Sequence, residues 1–264
     1  MSHLLTISDL TIAFTGDTGT HEVTDHLSLT LDEGEVVCLV GESGCGKSVT
    51  SLSLLGLLGP GGKVTGGSIR YEDQELLTLS EKELDQVRGK EISMIFQDPM
   101  SSLNPTFTIG YQIMEGLRIH LGMKKKEAWA RAVELLTRVG MKEPEQVMKS
   151  YPHTLSGGMR QRAIIAMALA CNPKLLIADE PTTALDVTVQ AQVLRLMRRL
   201  HRAHSGILLI THDLGVVSQM ATKIAVMKAG RVVETADDPA AFFAHPVHPY
   251  SQNLIAEARK MEFK

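Results

Sequence analysis

A continuous apolar run followed at once by a glycine-rich loop constrains the fold of this 264-residue chain more than any other feature. Val36–Val40 reads Val-Val-Cys-Leu-Val, which is typical of a strand buried on both faces. Residues 41–48 follow as Gly-Glu-Ser-Gly-Cys-Gly-Lys-Ser, and residues 49–58 favour a helix. Further strands and helices alternate downstream, so the sequence predicts an α/β fold with a mainly parallel sheet.

The loop at residues 41–48 fits the phosphate-binding pattern G-x-x-x-x-G-K-[ST] at every required position. Its glycines allow backbone N–H groups to turn inward around phosphate oxygens, and the following helix presents its positive N-terminal end to the same anion. The lysine can reach the β- and γ-phosphates, and the final serine hydroxyl can ligate Mg²⁺. The predicted phosphate site consists of Gly41, Glu42, Ser43, Gly44, Cys45, Gly46, Lys47, Ser48 and Val49.

A second candidate element is an apolar strand that ends in two carboxylates. Residues 175–180 read Leu-Leu-Ile-Ala-Asp-Glu. Asp179 is expected to bind Mg²⁺, directly or through water, and to complete the metal site begun by Ser48. Glu180 is then expected to polarise the attacking water as a general base. Alone, such a strand end is weak evidence, because a solvated strand terminus explains it equally well; with the phosphate loop, it is strong evidence.

A third element, at residues 155–162, reads Leu-Ser-Gly-Gly-Met-Arg-Gln-Arg. Ser156 is a predicted helix N-cap, and Gly157 and Gly158 allow an anion to approach the N-terminus of that helix. A nucleotide-hydrolysing domain with one phosphate loop has no need of a second such helix end. We therefore expect a nucleotide held between two copies of the domain.

Composition narrows the possible partners. The 27 basic and 30 acidic residues leave a net charge of -3, and only 4% of the residues are aromatic. Neither value indicates a nucleic acid or an anionic lipid as partner. The three cysteines are too few and too scattered for a disulfide framework or a zinc site. No segment approaches the roughly 20 apolar residues that span a bilayer, and no secretion signal is visible.

With these segments in order, the chain resembles the ATP-binding-cassette (ABC) transporter ATPases. Residues 155–161 resemble the signature motif of that family, residues 96–97 the Q-loop, residues 184–186 the D-loop and residues 211–213 the switch histidine. Phe14 lies where the family places an aromatic ring against adenine. The resemblance implies ATP and Mg²⁺ as cofactors.

The resemblance also implies an architecture: an α/β P-loop NTPase (RecA-like) core with an N-terminal antiparallel β region and an inserted α-helical subdomain. We expect one ABC ATPase domain over residues 1–264, with the core at about 1–95 and 173–240, the helical subdomain at about 96–172 and a short C-terminal tail at 241–264. The predicted helices cover 81–88, 109–121, 126–139 and 157–171, and the glycine-rich segment at residues 59–62 ends the helix predicted for 49–58. The predicted strands include 4–7, 10–14, 27–31, 207–211, 224–227 and 232–234, with a polar connection at residues 21–25.

A narrower resemblance points to the subfamily that energises import of oligopeptides, dipeptides and nickel. It lies in residues 94–105, 151–153, 177–186 and 245–250. The signature carries methionine at position 159 where many family members have glutamine, although this subfamily often has methionine. Many peptide-type members also continue into a cysteine-bearing tail that holds an iron–sulfur cluster. Here no cysteine follows Cys171, so we predict no such cluster.

The resemblance assigns roles to individual residues. Glu180 is the expected general base, His212 contacts the γ-phosphate, and Gln97 senses the γ-phosphate and the metal. Magnesium ligation falls to Ser48, Gln97 and Asp179. In a closed dimer, the signature face of one subunit is expected to cover the nucleotide of its partner. The residues of this face that the resemblance assigns to nucleotide binding are Ser156, Gly157, Gly158 and Asp186.

The resemblance implies a peripheral protein on the cytoplasmic face of the cell membrane. Its expected partners are a second ABC ATPase subunit (a related chain or an identical one), two transmembrane permease subunits and an extracytoplasmic substrate-binding protein, with no nucleic acid. Two alternatives stay open: a soluble non-transport ABC ATPase acting on the ribosome or nucleic acid, and an exporter subunit. The sequence does not name the cargo.

Overall fold

The structure, a computed structural model, describes residues 3–17, 19–98, 102–183, 185–201 and 203–262. Residues 99–101 of the predicted importer segment and Ala184 of the predicted D-loop lie outside the described residues. The chain divides into a first unit, Met1–Leu84 with Arg202–Lys264, and a second unit, Asp85–His201. Two strands near the predicted boundaries pair with each other inside the second unit, and the predicted limits of the core and the helical subdomain stay predictions.

Elements are numbered along the whole chain. The strands of the first unit are β1 (Leu5–Gly16), β2 (Gly19–Leu31), β3 (Val36–Val40), β4 (Gly62–Tyr71), β5 (Gln74–Glu75), β8 (Gly206–Thr211), β9 (Lys223–Lys228) and β10 (Arg231–Ala236). Its helices are α1 (Lys47–Leu54), α8 (Leu214–Met220), α9 (Pro239–Ala244) and α10 (Pro249–Glu262), and α2 (Glu81–Val87) crosses the boundary between the units.

The predicted N-terminal antiparallel region is confirmed as a sheet with the order β2-β1-β4-β5. The sequence predicted a polar connection at residues 21–25, but these residues belong to β2, where His21 pairs with Phe14. Strand β2 is the edge strand of this sheet, and the side chains of His21 and Glu22 are exposed while the backbone bonds to β1. The sequence also missed β4, which begins at Gly62, where the glycine-rich segment indicated only the end of a helix.

The predicted parallel α/β arrangement is also confirmed in the first unit. All five residues of β3 are buried, and β3 pairs in parallel with both β8 and β9. Strand β10 pairs with β9 in antiparallel orientation and closes that edge. Helix α1 ends at Leu54, four residues before the predicted end at residue 58.

The second unit consists of β6 (Ile92–Ile95), β7 (Leu175–Asp179), α3 (Ile109–Leu121), α4 (Lys125–Arg138), α5 (Pro144–Lys149), α6 (Gly157–Ala168) and α7 (Val187–Leu200). Strands β6 and β7 pair in parallel, with Ile92 opposite Leu175. Helix α3 has the predicted bounds, because Thr108 caps its N-terminus and Gly122 ends it in a left-handed conformation. Within the described ranges, no helix is both long and apolar enough to cross a lipid bilayer.

Candidate nucleotide-binding site

The predicted phosphate loop joins β3 to α1 in the first unit. A Cβ atom added to Gly41 would lie 2.2 Å from the carbonyl oxygen of Met227, and one added to Gly46 would lie 2.9 Å from that of Val23. Gly46 also has a φ of 105°, in the left-handed region that favours glycine. The loop therefore passes against β2 and β9 at a distance that excludes side chains at these two positions.

Lys47 is the first residue of α1 and is only 5% exposed. Its ammonium donates hydrogen bonds to the carbonyl oxygens of Gly41 at 2.7 Å and Glu42 at 2.8 Å, and lies 3.7 Å from Cys45 Sγ. The carbonyl groups of the loop thus hold a positive charge beside the N-terminus of α1. A charge in this position complements a phosphate anion.

His212 lies at the same edge of the parallel sheet as this loop. Thr211, the last residue of β8, pairs with Val40, the last residue of β3, so His212 and Gly41 both follow at the carboxyl ends of neighbouring strands. Ligands of open α/β sheets bind at these carboxyl ends. His212 is exposed, and Asp213 after it caps α8 by accepting hydrogen bonds from two backbone N–H groups.

Phe14 lies on β1, opposite His21 on β2 and Gly62 on β4. A Cβ atom added to Gly62 would lie 2.7 Å from Phe14 Cε1, so the ring packs against the bare backbone of that glycine. Because Phe14 is partly exposed, the aromatic ring also faces solvent.

The predicted acidic pair ends β7 in the second unit. Asp179 is the last residue of the strand and is 4% exposed, whereas Glu180 follows with a φ of 45°. Gln97 Nε2 donates to Glu180 Oε2 at 3.3 Å, and the Thr183 hydroxyl donates to the same oxygen at 2.9 Å. The structure therefore brings together the predicted base and the predicted Q-loop glutamine. Sequence reasoning missed Thr183, and no local pattern marks it, because its hydroxyl reaches Glu180 only through the turn that follows β7.

The predicted signature residues begin α6, and Ser156 caps this helix as predicted by accepting a hydrogen bond from the Met159 N–H at 3.3 Å. A cavity of about 430 Å³ adjoins this end of the helix. Its lining includes Ser156, Gly157, Gly158, Leu185, Asp186 and Val189. The structure thus brings the predicted signature residues together with the predicted D-loop aspartate.

Two features of this cavity have structural causes. The Asp186 carboxylate caps α7 by accepting a hydrogen bond from the Val189 N–H at 2.9 Å. A Cβ atom added to Gly158 would lie 2.8 Å from Val189 Cγ1, so the absence of a side chain allows α6 and α7 to pack closely. At Gly157 the nearest atom would lie 4.0 Å away, which leaves room for an anion at the start of α6.

The remaining donor groups in the described part of the chain do not form a metal cluster. Among the described residues, no group of three or more His, Cys, Asp or Glu side chains could hold a metal ion. Cys38, Cys45 and Cys171 are free and buried, and burial raises the pKa of Cys38 to about 12. A magnesium ion on a nucleotide needs no such cluster, because it is held by one or two protein oxygens, phosphate oxygens and water.

Comparisons with known proteins agree with this geometry. Residues 24–183 match the family described as ABC transporter. Residues 149–218 also match a family described as AAA domain, putative AbiEii toxin, Type IV TA system. This second match covers less than half of the chain, so it does not assign the chain to that family.

Individual relatives extend the match to nearly the whole chain. The oligopeptide transport ATP-binding protein AppD of Bacillus subtilis (strain 168) is 56% identical, over 97% of this chain and 78% of AppD. The dipeptide transport ATP-binding protein DppD of Escherichia coli (strain K12) is 49% identical, over 96% of this chain and 77% of DppD. A solved dimer of the ATP-binding cassette MJ0796 with ADP and Pi is 28% identical, with a TM-score of 0.79 over 88% of this chain and 97% of that one.

The fold, the phosphate loop and these matches define a P-loop ATPase of the cassette type. The chain belongs to the ABC transporter family, as predicted, and is an ATP-binding subunit that hydrolyses ATP.

Proposed function

We propose that this chain energises a membrane importer of peptides. The observation that carries the proposal is the similarity over nearly the whole chain to transport ATP-binding proteins whose names specify oligopeptides and dipeptides. Nickel, the other cargo of the predicted subfamily, stays an untested prediction. The alternative is an ATPase that acts on the ribosome or nucleic acid. The names of these relatives do not support it, and neither does the net charge of -3.

In the proposed site, residues 41–49 hold the phosphates of ATP. The hydrogen bonds of Lys47 to the loop carbonyl groups support this role, because they keep an ammonium beside the N-terminus of α1. Ser48, Gln97 and Asp179 are the proposed ligands of Mg²⁺, and their oxygen atoms are of the type that this ion prefers. The metal would neutralise charge on the β- and γ-phosphates. The half-exposed ring of Phe14 is the proposed contact of adenine.

Glu180 is the proposed general base for the attacking water. Its φ of 45° is uncommon for a residue with a side chain, and such conformations cluster at functional sites. Hydrogen bonds from Gln97 and Thr183 fix the orientation of its carboxylate. A carboxylate held in one orientation can act as a base that positions one water for attack, and this supports the role of Glu180. His212 is the proposed contact of the γ-phosphate.

Hydrolysis in this proposal needs a second cassette, a related chain or an identical copy. The cavity beside Ser156, Gly157 and Gly158 supports a signature face that covers the partner's nucleotide. The dimeric state of the solved relative supports the same arrangement. Two permease subunits and an extracytoplasmic binding protein complete the proposed transporter, with this chain on the cytoplasmic face of the membrane.

The test is phosphate release by the assembled transporter, purified through this chain with its permeases and binding protein and reconstituted in lipid vesicles. We expect the rate to rise when a dialanine or pentaalanine peptide is added on the side of the binding protein, and not when NiCl₂ is added.

A matched preparation that carries Glu180→Gln controls for contaminating ATPases and should show no stimulation. Stimulation by NiCl₂ alone would replace peptide by nickel as the cargo. Copurification with ribosomes in place of membrane proteins would contradict the transport proposal altogether.

A further inference from the structure

A tyrosine near the C-terminus contacts the phosphate loop within the first unit. Tyr250, the second residue of α10, accepts a hydrogen bond on its hydroxyl from the Glu42 N–H at 3.0 Å, across 208 residues of sequence. Its side chain is buried, and Lys228 Nζ lies 4.8 Å from the centre of its ring. The ring is thus buried beside Lys228 of β9, and the hydroxyl reaches the phosphate loop.

Glu42 is the residue through which this contact reaches Lys47, the proposed phosphate-binding lysine. Its N–H group is bonded to Tyr250, and its carbonyl oxygen accepts the hydrogen bond from Lys47 Nζ at 2.8 Å. The same carbonyl accepts a second, longer bond from the Cys45 N–H at 3.4 Å. Fixing the backbone of Glu42 therefore fixes one of the two carbonyl groups that hold the ammonium.

The position of Tyr250 is itself set by a hydrogen-bonded turn. The carboxylate of Glu234 on β10 accepts the N–H groups of Val247 and His248, at 2.9 and 2.8 Å. His248 Nδ1 then accepts the N–H of Tyr250 at 3.1 Å. The segment at residues 246–250 is therefore tied to β10 immediately before it contacts the phosphate loop.

The protonated hydroxyl is the form that this environment favours. Burial raises the pKa of Tyr250, and the Glu42 carboxylate raises it further, which outweighs the opposite effect of the Glu42 N–H. The phenol is thus protonated across the neutral range, and its oxygen accepts the hydrogen bond from the Glu42 N–H.

We propose that Tyr250 is a positioning residue for ATP binding, acting through Glu42 to hold the ammonium of Lys47 in place. This inference rests on the proposed nucleotide site. A purely structural tyrosine would need only its ring, because the ring supplies the buried surface and the contact with Lys228. The hydroxyl is the atom that touches the loop, so its removal separates the two roles.

The test compares Tyr250→Phe with wild type in the assembled transporter, by equilibrium binding of a fluorescent ATP analogue and by kcat for phosphate release. Because one hydrogen bond is lost, we expect the Kd to rise by about 2- to 10-fold while kcat changes less than about twofold. The control is Tyr71→Phe, which removes the hydroxyl of another buried tyrosine, on β4, and should leave the Kd unchanged.

A double-mutant cycle tests the route through the lysine. Lys47→Ala alone should weaken binding, and adding Tyr250→Phe to it should weaken binding no further, since the hydroxyl then has no ammonium to position. Additive losses would show that Tyr250 does not act through Lys47. If Lys47→Ala itself leaves the Kd unchanged, the proposed nucleotide site is wrong; if it weakens binding and Tyr250→Phe does not, only this inference is wrong.

A lower thermal midpoint for Tyr250→Phe with an unchanged Kd would also overturn the inference, because a purely structural role predicts that result. If Tyr250→Phe fails to assemble, Glu234→Gln weakens the turn that places the Tyr250 hydroxyl and leaves the tyrosine itself unchanged. We then expect a smaller rise in Kd in the same direction, and an unchanged Kd contradicts the proposal.

Discussion

The two loops that carry the proposed chemistry are built in different ways. At residues 41–48 the proposed phosphate site depends on the path of the backbone, because Gly41 and Gly46 pass close to other strands. The residues between them at 42–44 are exposed. At the end of β7 a side chain is decisive, because Glu180 keeps a left-handed φ without being glycine and its carboxylate is held by Gln97 and Thr183.

This difference separates binding from hydrolysis. A loop whose donors are backbone N–H groups binds phosphate whatever the exposed side chains are, provided that its glycines stay. A carboxylate that acts as a base has no backbone substitute. Changes in the first loop should therefore alter ATP affinity and stability, and changes in the second should alter the rate.

The largest expected effect is that of Glu180→Gln. The amide keeps the size and one oxygen of the carboxylate but cannot take a proton, so hydrolysis should slow by about 10²–10⁴ while ATP binding persists. Phosphate release and binding of a fluorescent ATP analogue by the assembled complex measure the two effects.

Glu257→Gln is the matched control, because it makes the same chemical change on an exposed face of α10 and should leave both quantities unchanged. Wild-type turnover in Glu180→Gln would remove Glu180 from the mechanism.

An intermediate effect is expected for Gly46→Ala. The alanine would have to adopt a φ of 105°, which is strained for a residue with a side chain. Its Cβ would also lie 2.9 Å from the Val23 carbonyl oxygen. Strain of this kind costs about 1–3 kcal/mol of unfolding free energy, and the displaced loop should bind ATP more weakly. Urea unfolding and ATP binding measure the two effects.

The control is Gly116→Ala on α3, where an added Cβ would have nothing within 4 Å. Because alanine favours a helix over glycine, this change should stabilise the protein by about 0.5–1 kcal/mol. Equal effects at the two glycines would contradict the contrast between the loop and the helix.

The smallest effect concerns acid. Burial raises the pKa of Glu234, but the neighbouring Ser251 hydroxyl and the N–H groups of Val247 and His248 outweigh it, so the pKa lies below its usual value. The stabilisation is present above the unfolded-state pKa of about 4.3 and is lost as the pH falls through the lower folded-state value. Because this carboxylate is partly solvated, the contribution should be under about 1 kcal/mol.

Glu234→Gln should therefore be less stable than wild type at neutral pH, and the difference should shrink on acidification. Urea unfolding from pH 7 to pH 3 measures it, with hydrogen exchange at Val247 and His248 as the local readout. A difference that grows toward low pH would show that the carboxylate does not accept these bonds.

Several elements of the fold were predictable because their causes are local. Helix α3 has the predicted bounds since Thr108 and Gly122 carry its capping signals. The buried strand β3 and the start of α1 follow from Val36–Val40 and the glycine-rich loop. The Ser156 cap was likewise evident from the residue itself.

Other features depend on contacts that sequence patterns do not record. The full length of β2 and the existence of β4 come from pairing with β1, which overrides the polar and glycine-rich composition of those segments. The hydrogen bond from Glu42 to Tyr250 joins residues that no local period connects. Thr183 was missed because its hydroxyl acts only once the backbone folds it back onto Glu180.

The pairing of β3 has a consequence for biosynthesis. Its five apolar residues pair with β8 and β9, which the ribosome makes only after the whole of the second unit. Until then the strand has no partners in the sheet, and unpaired apolar strands are prone to aggregate. We therefore expect the nascent strand to need shielding until β8 and β9 have been made, and the phosphate loop gains its Tyr250 contact only after residue 250 has been added.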